Sequence, residues 1–490
     1  MNEVGRRALD ADVQMGADLP ICVDLDGTLL KIDSLQEAAL AAALSDVRVL
    51  VRAPAWLAKG KAHLKQELAR RWRFDPAHLP YNEPLVDLLR RMRAAGRRIV
   101  LVTAADRAVA EAVAGHLGLF QEVLASDGAR NLRGANKAEA LCERFGEQRF
   151  IYAGNDRTDH RVWERAAAAI VVNAPRHIQR AAGERYSVAA VIDDRDTSWP
   201  QALFKAMRPY QWVKNLLVFA PLLASGDFTS ASPWIATTLA FGAFCAAASA
   251  IYLLNDMSDL AADRMHPRKR RRPFASGALT PAVGLALAPF LMALGFLLAA
   301  LSGALVGLLA YCALSLSYNL RLKEAPLVDV FILAALYTVR LFGGGEAAGH
   351  PVSPWLLGFS TFLFLSLALV KRVSELRRLR LEKRPAARRG YGEVDLEMLQ
   401  MMGCAATFAS AVVLALYIQS DTAFAAYARP SLLWGVIPLM LFWQCRLWLS
   451  TARGYMHDDP IVYASRDWVS WLVFACFGAV VLAARLPVGV

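Results

Sequence analysis

Cysteine is sparse in this chain, and no two cysteines stand at ligand spacing. The seven (Cys22, Cys142, Cys245, Cys312, Cys404, Cys445, Cys476) are scattered over 490 residues without a CxxC. That pattern argues against a zinc site or a disulfide framework, and the five in apolar runs read as small hydrophobes. No convincing internal repeat is present. Basic and aromatic residues are not interleaved, so the net charge of +12 does not point to nucleic acid. The stretch from Met1 to Leu19 is polar and acidic and lacks the apolar core of a secretory signal. From there to about residue 195 the chain contains no run long enough to cross a bilayer and reads as a soluble domain expected to stay in the cytosol.

From about residue 210 the balance reverses. Stretches of membrane-crossing length, about 17–25 residues, can be marked near 211–225, 234–254, 282–302, 304–320, 327–347, 354–371, 401–420, 431–449 and 468–487. The first is short and could be re-entrant. Here the telling absence is of positive charge. The connections 225–233, 302–304, 348–353 and 421–430 hold one basic residue, Arg429, whereas 255–281, 321–326, 371–400 and 446–467 are rich in Lys and Arg. This alternation predicts about nine transmembrane helices, with the N-terminus and the basic loops on the cytosolic side of the cytoplasmic membrane. The expected organisation is a soluble domain over 1–195, a linker or interfacial helix over 196–210 and a membrane domain over 211–490. Every polar constellation picked out on chemical grounds falls on the cytosolic side, which suits an enzyme better than a channel or carrier.

The sharpest constellation is Asn255-Asp256-Met257-Ser258-Asp259-Leu260-Ala261-Ala262-Asp263, at the end of the run Trp234 to Leu254. On a helix turning about 100° per residue, Asn255, Asp259 and Asp263 drift only about 40° per step, and Asp256 lies beside Asp263. Three carboxylates on one face repel unless a divalent cation holds them, and Mg²⁺ favours oxygen ligands together with substrate phosphates. Arg264, Arg268, Lys269, Arg270, Arg271 and Arg272 come next, a set suited to an anion. A solvated loop obeying the positive-inside rule would explain the arginines but not the spaced acids.

In the soluble part, Pro20-Ile21-Cys22-Val23-Asp24-Leu25-Asp26-Gly27-Thr28 reads as a buried strand ending in a turn with two carboxylates. Further apolar runs at 98–103, 122–125, 149–153 and 169–173 are separated by helical stretches. That order predicts a doubly wound α/β fold, a parallel sheet with helices on both faces and ligands at the strands' carboxyl ends. Asp24, Asp26, Thr103, Asn155, Asp156 and Asp159 all sit at such ends, and Lys137 opens a helix that can join them. These four elements in this order resemble the haloacid dehalogenase superfamily over residues 18–190, with Ser34 to Pro84 as a small helical cap. The resemblance implies that Asp24 is the nucleophile forming an aspartyl-phosphate and that Asp26 is the acid/base. It implies that Thr103 and Lys137 hold the phosphoryl oxygens and that Asp24, Asp26 and Asp159 bind Mg²⁺. Asn155 completes the metal set where the family usually has an acid. Asp156 could substitute by a one-residue shift, and a degenerate or regulatory domain is the competing reading.

The aspartate motif, its basic run and Pro273-Phe274-Ala275-Ser276-Gly277 resemble the first aspartate-rich motif of the UbiA superfamily of intramembrane prenyltransferases, over about 205–490. That resemblance implies an all-α membrane domain of about nine helices, with Asn255, Asp256, Asp259 and Asp263 holding Mg²⁺ and a diphosphate. A second aspartate-rich motif, usual after the sixth helix in the aromatic prenyltransferases, is missing. The loop reads Lys371-Arg372-Val373-Ser374-Glu375-Leu376-Arg377-Arg378. With Arg208 to Asn215, Tyr318 to Lys323 and Met456-His457-Asp458-Asp459-Pro460, it is more similar to the decaprenyl-phosphate phosphoribosyltransferases. Their substrates are 5-phosphoribosyl 1-diphosphate and a polyprenyl monophosphate. Such substrates bring extra phosphates, which Lys214, Arg270, Arg321, Lys323, Lys371 and Arg372 could meet, with Asn215, Tyr318, Asp329 and Glu375 completing the substrate set. Each cation could instead be a snorkelling interface residue.

Asp329 and Arg340 stand inside one apolar span, about 16 Å apart along a helix, so they cannot pair with each other. Asp329 is expected near the catalytic pocket and Arg340 deeper, bonded to another helix. The function expected is Mg²⁺-dependent phosphoribosyl transfer to a polyprenyl phosphate, with the soluble domain hydrolysing a phosphate monoester. Transfer of a prenyl group to an aromatic ring and a membrane carrier or scaffold with a vestigial soluble domain remain the alternatives. The partners implied are a polyprenyl lipid, a diphosphate-bearing co-substrate and the bilayer.

Overall fold

The computed structural model describes residues 19–127, 132–195, 197–381, 390–456 and 459–486. The chain divides into two compact units, Met1–Ala206 with Leu253–Ala286 and Met207–Tyr252 with Leu287–Val490.

In the first unit, each expected apolar run becomes a strand: β1 Ile21–Val23, β2 Ile99–Asp106, β3 Glu122–Ser126, β4 Ile151–Gly154 and β5 Ala168–Val172. A sixth, β6 Val188–Ile192, was not expected and pairs with β5. The sheet is parallel throughout, in the order β3-β2-β1-β4-β5-β6. Side chains alternate across it, so Ile21, Val23, Ile99 and Leu101 pack on one face and Cys22, Val100, Val102 and Tyr152 on the other. Both faces are therefore apolar, as a sheet covered on two sides requires. Strand order reverses direction between the neighbours β1 and β4, the crevice where doubly wound sheets bind ligands. Helices Ser34–Ser45, Arg48–Ala58 and Lys61–Ala69 are inserted between β1 and β2 where the cap was expected.

The segment Leu253–Ala286 belongs to this same unit. One continuous helix was expected through Asn255–Asp263. Instead, helix Ala231–Ser258 ends before Asp259, whose backbone sits at φ −92 and ψ 9, and a short helix Leu260–Met265 comes after it. The Asp259 and Asp263 amides still donate to the Asn255 and Asp259 carbonyls at 2.9 and 2.8 Å. The acidic face is bent rather than lost.

Among the described residues, seven helices are long and apolar enough to cross a membrane: Ala231–Ser258, Pro281–Ser302, Val328–Ala348, Pro354–Arg380, Asp395–Ile418, Pro430–Ala452 and Trp468–Arg485. Leu305–Leu320 is a shorter apolar helix of 16 residues. The first expected span, 211–225, is a 3₁₀ segment Pro209–Phe219 followed by a single short helix Ala220–Ser225. Two polar side chains on it, Lys214 and Asn215, are buried, so this stretch is held by polar partners inside the second unit. It lies tight against helix Val328–Ala348, where a Cβ at Gly344 would stand 1.9 Å from the Val218 carbonyl oxygen. Small residues permit such close approach.

Candidate functional site

Three polar clusters emerge from this fold. In the first unit, the ends of β1 and β4 carry a linked chain. The Lys137 ammonium donates to Asp24 Oδ1 and to the Tyr152 hydroxyl, both at 2.8 Å, and Tyr152 donates to Asp159 Oδ1 at 2.9 Å. The backbone amides of Asn155 and Asp156 donate to Asp159 Oδ2 at 2.8 and 3.0 Å. One ammonium thus links two carboxylates, Asp24 directly and Asp159 through the Tyr152 hydroxyl. Burial, then repulsion by Asp24, pushes Asp159 up to about 6. For Lys137, burial alone would lower the pKa, but Asp24 and Asp159 outweigh it and hold the ammonium protonated. The Tyr152 phenol is held well above its ordinary range by burial and these carboxylates, and so remains a donor.

Asp26 accepts from the Ser34 amide at 2.9 Å and the Ser34 hydroxyl at 3.0 Å. Burial, helped by the charges of Asp33 and Asp24, pushes Asp26 up to about 7 despite those donors. A carboxyl poised there can both give and take a proton near neutrality. Thr103 is fully buried within β2, where the pairing with β3 shifts register before Asp106, its hydroxyl accepting from the Ala105 amide at 3.0 Å. Asn155 does not face this chain through its side chain. It accepts from Thr28 at 3.3 Å and lies over Gly27, where a Cβ would stand 2.2 Å from its Nδ2. Gly27, at φ +74, is therefore required twice, by backbone and by space. From the cap, Lys65 donates to the Ala104 carbonyl at 2.6 Å and lies within electrostatic reach of Asp26, a cation that sequence reasoning did not single out.

The second cluster is the aspartate loop. Asp256 and Asp263, both buried, share one guanidinium nitrogen of Arg272, at 3.0 and 2.5 Å. Lys269 stands 4.0 Å from Asp263. Arg272 and Arg264, grouped in the sequence with the anion-binding charges, are instead engaged by carboxylates, because those acids are buried beside them. Arg264 pairs with Glu37. Asn255 and Asp259 are half-buried on the same loop, and Arg270 is exposed. Among the described residues no three His, Cys, Asp or Glu side chains stand close enough to cage a metal ion. Mg²⁺ needs less, since one or two carboxylates with waters and substrate phosphates suffice. Two carboxylate oxygens already drawn to a single cationic nitrogen fit that requirement.

The third cluster lies in the second unit. Lys214 and Lys371 converge on one carboxylate oxygen of Asp459, at 2.6 and 3.2 Å, and the Tyr337 hydroxyl donates to both oxygens at 3.2 Å. Burial opposes the charge on Asp459, but the two ammonium groups hold its pKa below the usual carboxylate range. The motif residues His457 and Asp458 lie outside the described residues. Arg372 pairs with Asp329 and, at 2.6 Å, with Glu375, while Tyr391 donates to Asp329 and Tyr318 bonds to Arg372. Asp329 and Arg340 do not meet. Arg340 donates to Asn215 at 2.8 Å and stacks over Tyr311. Arg321 is exposed and Lys323 half-buried, and neither joins these pairs. Tyr152, Tyr337, Tyr391 and Asp459 were not among the expected site residues. Only Asp459 had a local signal, its place before Pro460.

Comparison with known proteins agrees with both halves. Residues 216–457 match the UbiA prenyltransferase family, and residues 21–164 match the haloacid dehalogenase-like hydrolases. An uncharacterized protein, y4nM of Sinorhizobium fredii, is 37% identical over 475 residues, 96% of this chain and 91% of that protein. The decaprenyl-phosphate phosphoribosyltransferase of Corynebacterium glutamicum is 39% identical over 197 residues, 38% of this chain and 59% of that protein. Among solved structures, a UbiA homolog from Archaeoglobus fulgidus bound to GPP and Mg²⁺ covers 58% of this chain and 99% of its own, at 15% identity and a TM-score of 0.46. This chain belongs to the UbiA prenyltransferase family, as an integral membrane enzyme carrying an N-terminal haloacid dehalogenase-like domain.

Proposed function

We propose that the membrane part transfers phosphoribose from 5-phosphoribosyl 1-diphosphate to a polyprenyl phosphate, and that the N-terminal domain then removes the 5-phosphate of that lipid. The observation that carries this reading is the convergence of Lys214 and Lys371 on Asp459. Two ammonium groups with one carboxylate leave a net positive site, suited to a phosphate that an aromatic acceptor would not bring. The likeness to decaprenyl-phosphate phosphoribosyltransferase supports it, although the match spans 59% of that protein.

Asp256, Asp259 and Asp263 are the residues to hold Mg²⁺, with Asn255 beside them; the ion would neutralise the donor diphosphate and stabilise it as it leaves. Arg272, drawn between Asp256 and Asp263 here, yields that place and turns to the diphosphate. Lys214 and Lys371 hold phosphate, and Asp459 keeps them oriented toward one point until it arrives. An acceptor phosphate oxygen forms the new bond to the anomeric carbon as the carbon–diphosphate bond breaks. The Arg372–Asp329 pair cross-links helices Val328–Ala348 and Pro354–Leu381, with Glu375 on the second bonded to the same guanidinium.

In the hydrolase, an Asp24 oxygen attacks the 5-phosphate phosphorus, and Asp26 gives its proton to the departing ribose oxygen. Asp26 next takes a proton from the water that cleaves the aspartyl-phosphate, restoring Asp24 and releasing phosphate. Lys137 and Thr103 hold the phosphoryl oxygens, and Asp24, Asp26 and Asp159 are the residues that would face Mg²⁺; Asn155 would have to turn from Thr28 to join them. We place the enzyme in the cytoplasmic membrane with this domain and the basic loops in the cytosol.

The test uses purified protein in detergent with Mg²⁺, polyprenyl phosphate and ribose-labelled phosphoribosyl diphosphate. Label entering the lipid phase, and lost in Asp256→Ala, is the expected result. Lipid without label, together with prenylation of 4-hydroxybenzoate from a polyprenyl diphosphate, would assign the aromatic reaction instead.

A further inference from the structure

Glu37 and Arg264 are 227 residues apart in sequence and meet within the first unit. Arg264 donates through Nη1 and Nη2 to the two Glu37 oxygens at 3.1 and 2.7 Å, and through Nε to the Ala275 carbonyl at 3.2 Å. The side chains are 6% and 2% exposed. Neither belongs to the reactions described above.

Contacts around the pair run between the same two segments. Gly277, at φ +77, comes so near Lys31 that a Cβ would stand 2.7 Å from the Lys31 carbonyl oxygen. The Ala282 amide donates to Gln36 Oε1 at 3.4 Å. Each segment also touches a proposed site. Ser34, one turn before Glu37, positions Asp26, while Asp263 precedes Arg264 and shares Arg272 with Asp256.

A buried ion pair contributes little net stability, because desolvation consumes most of the Coulombic gain, but separating its partners leaves an uncompensated buried charge. Two-point geometry between guanidinium and carboxylate fixes orientation as well as distance. The turn Pro273–Gly277 has no side chain at Gly277 to hold it away from the cap.

We propose that the Glu37–Arg264 pair docks the hydrolase cap on the aspartate loop, so that a phosphate ester formed at the loop reaches the hydrolase without leaving the protein. This inference rests on the consecutive reactions proposed above. Glu37 and Arg264 act as positioning residues. They touch no substrate, and their contribution is a raised local concentration of the lipid ester at Asp24.

The test is Glu37→Gln in the full chain, which keeps size and removes charge. Three quantities are read: label entering lipid, loss of the 5-phosphate from that lipid, and hydrolysis of p-nitrophenyl phosphate, which needs no docking. Docking predicts that the first and third stay within about twofold while the second slows about tenfold or more. Equal slowing of the second and third would show a merely structural residue and overturn the proposal, as would no slowing at all. Hydrogen exchange supplies the substrate-independent arm. Glu37→Gln should speed exchange in Ser34–Ser45 and in residues 260–279 together, and an unchanged loop would overturn docking. Faster exchange in both segments, with no label entering lipid even in the unaltered protein, would uphold docking and reject the substrate reading.

Discussion

Lys137 and Asp459 sit at the hearts of two sites with opposite arithmetic. At the ends of β1 and β4, two carboxylates, Asp24 and Asp159, are linked through one ammonium and one phenol, Tyr152. In the membrane part, two ammonium groups, Lys214 and Lys371, converge on one carboxylate and one phenol, Tyr337. The tyrosine is neutral in each, so the balance is minus one in the first and plus one in the second. Low local dielectric makes that imbalance expensive and leaves each site short of one partner. Under the proposed function a cation would complete the first and a phosphate the second. That proposal rests on the sign of the surplus more than on the list of residues.

The largest effect should break the two apart. Asp24→Asn is expected to cut phosphate ester hydrolysis by about 10³-fold or more while transfer to lipid continues, and Asp256→Ala should do the reverse. Loss of both activities from either change would mean that the sites do not act as separate catalysts. Next comes Asp459→Ala, which leaves the buried Lys214 ammonium and the half-buried Lys371 ammonium without their shared carboxylate. It should cost about 3–5 kcal/mol, read as a lower thermal midpoint in detergent. Inorganic phosphate should partly restore that midpoint, and a fall unaffected by phosphate would contradict the anion assignment.

A smaller effect distinguishes the cation-seeking site. Asp26 stands near 7 in the folded chain against an ordinary 3.8. Between those values the folded state holds a proton the unfolded state has lost. Its contribution to stability is therefore full below about pH 4 and is lost as pH rises through about 7. Without divalent cation, the thermal midpoint should fall from pH 5 to pH 8, and Asp26→Asn should flatten that slope. Mg²⁺ should raise the midpoint most at pH 8, where the carboxylates are charged. The smallest effect is expected at the exposed cations. Arg270→Ala and Arg321→Ala should change stability by no more than about 0.5 kcal/mol, with any loss confined to KM for the anionic substrates.

Much of this was legible because the signals are local. Five apolar runs bounded by polar turns gave five strands, and their carboxyl ends carried Asp24, Thr103 and Asp159. β6 escaped notice because Val188-Ala189-Ala190-Val191-Ile192 is short, alanine-containing and at the sheet edge, where Val191 is exposed. The stretch 211–225 reads as an apolar span by composition, yet Lys214 and Asn215 turn inward to Asp459 and Arg340, which only tertiary contacts reveal. Likewise, nothing within a few residues of Arg264 tells that its partner is Glu37. The basic run looked uniformly available for anions, whereas Arg264 and Arg272 are engaged by buried acids and Arg270 is exposed. Charge counts gave the loop's character, and burial decided which charges remain for a ligand.

The most direct measurement is the mass of the lipid made from polyprenyl phosphate and phosphoribosyl diphosphate by the intact chain and by Asp24→Asn. Two consecutive sites predict polyprenyl-phosphoryl ribose from the first and the same lipid with its 5-phosphate from the second. Identical lipids from both, or no ribose on lipid from either, would contradict that sequence of reactions.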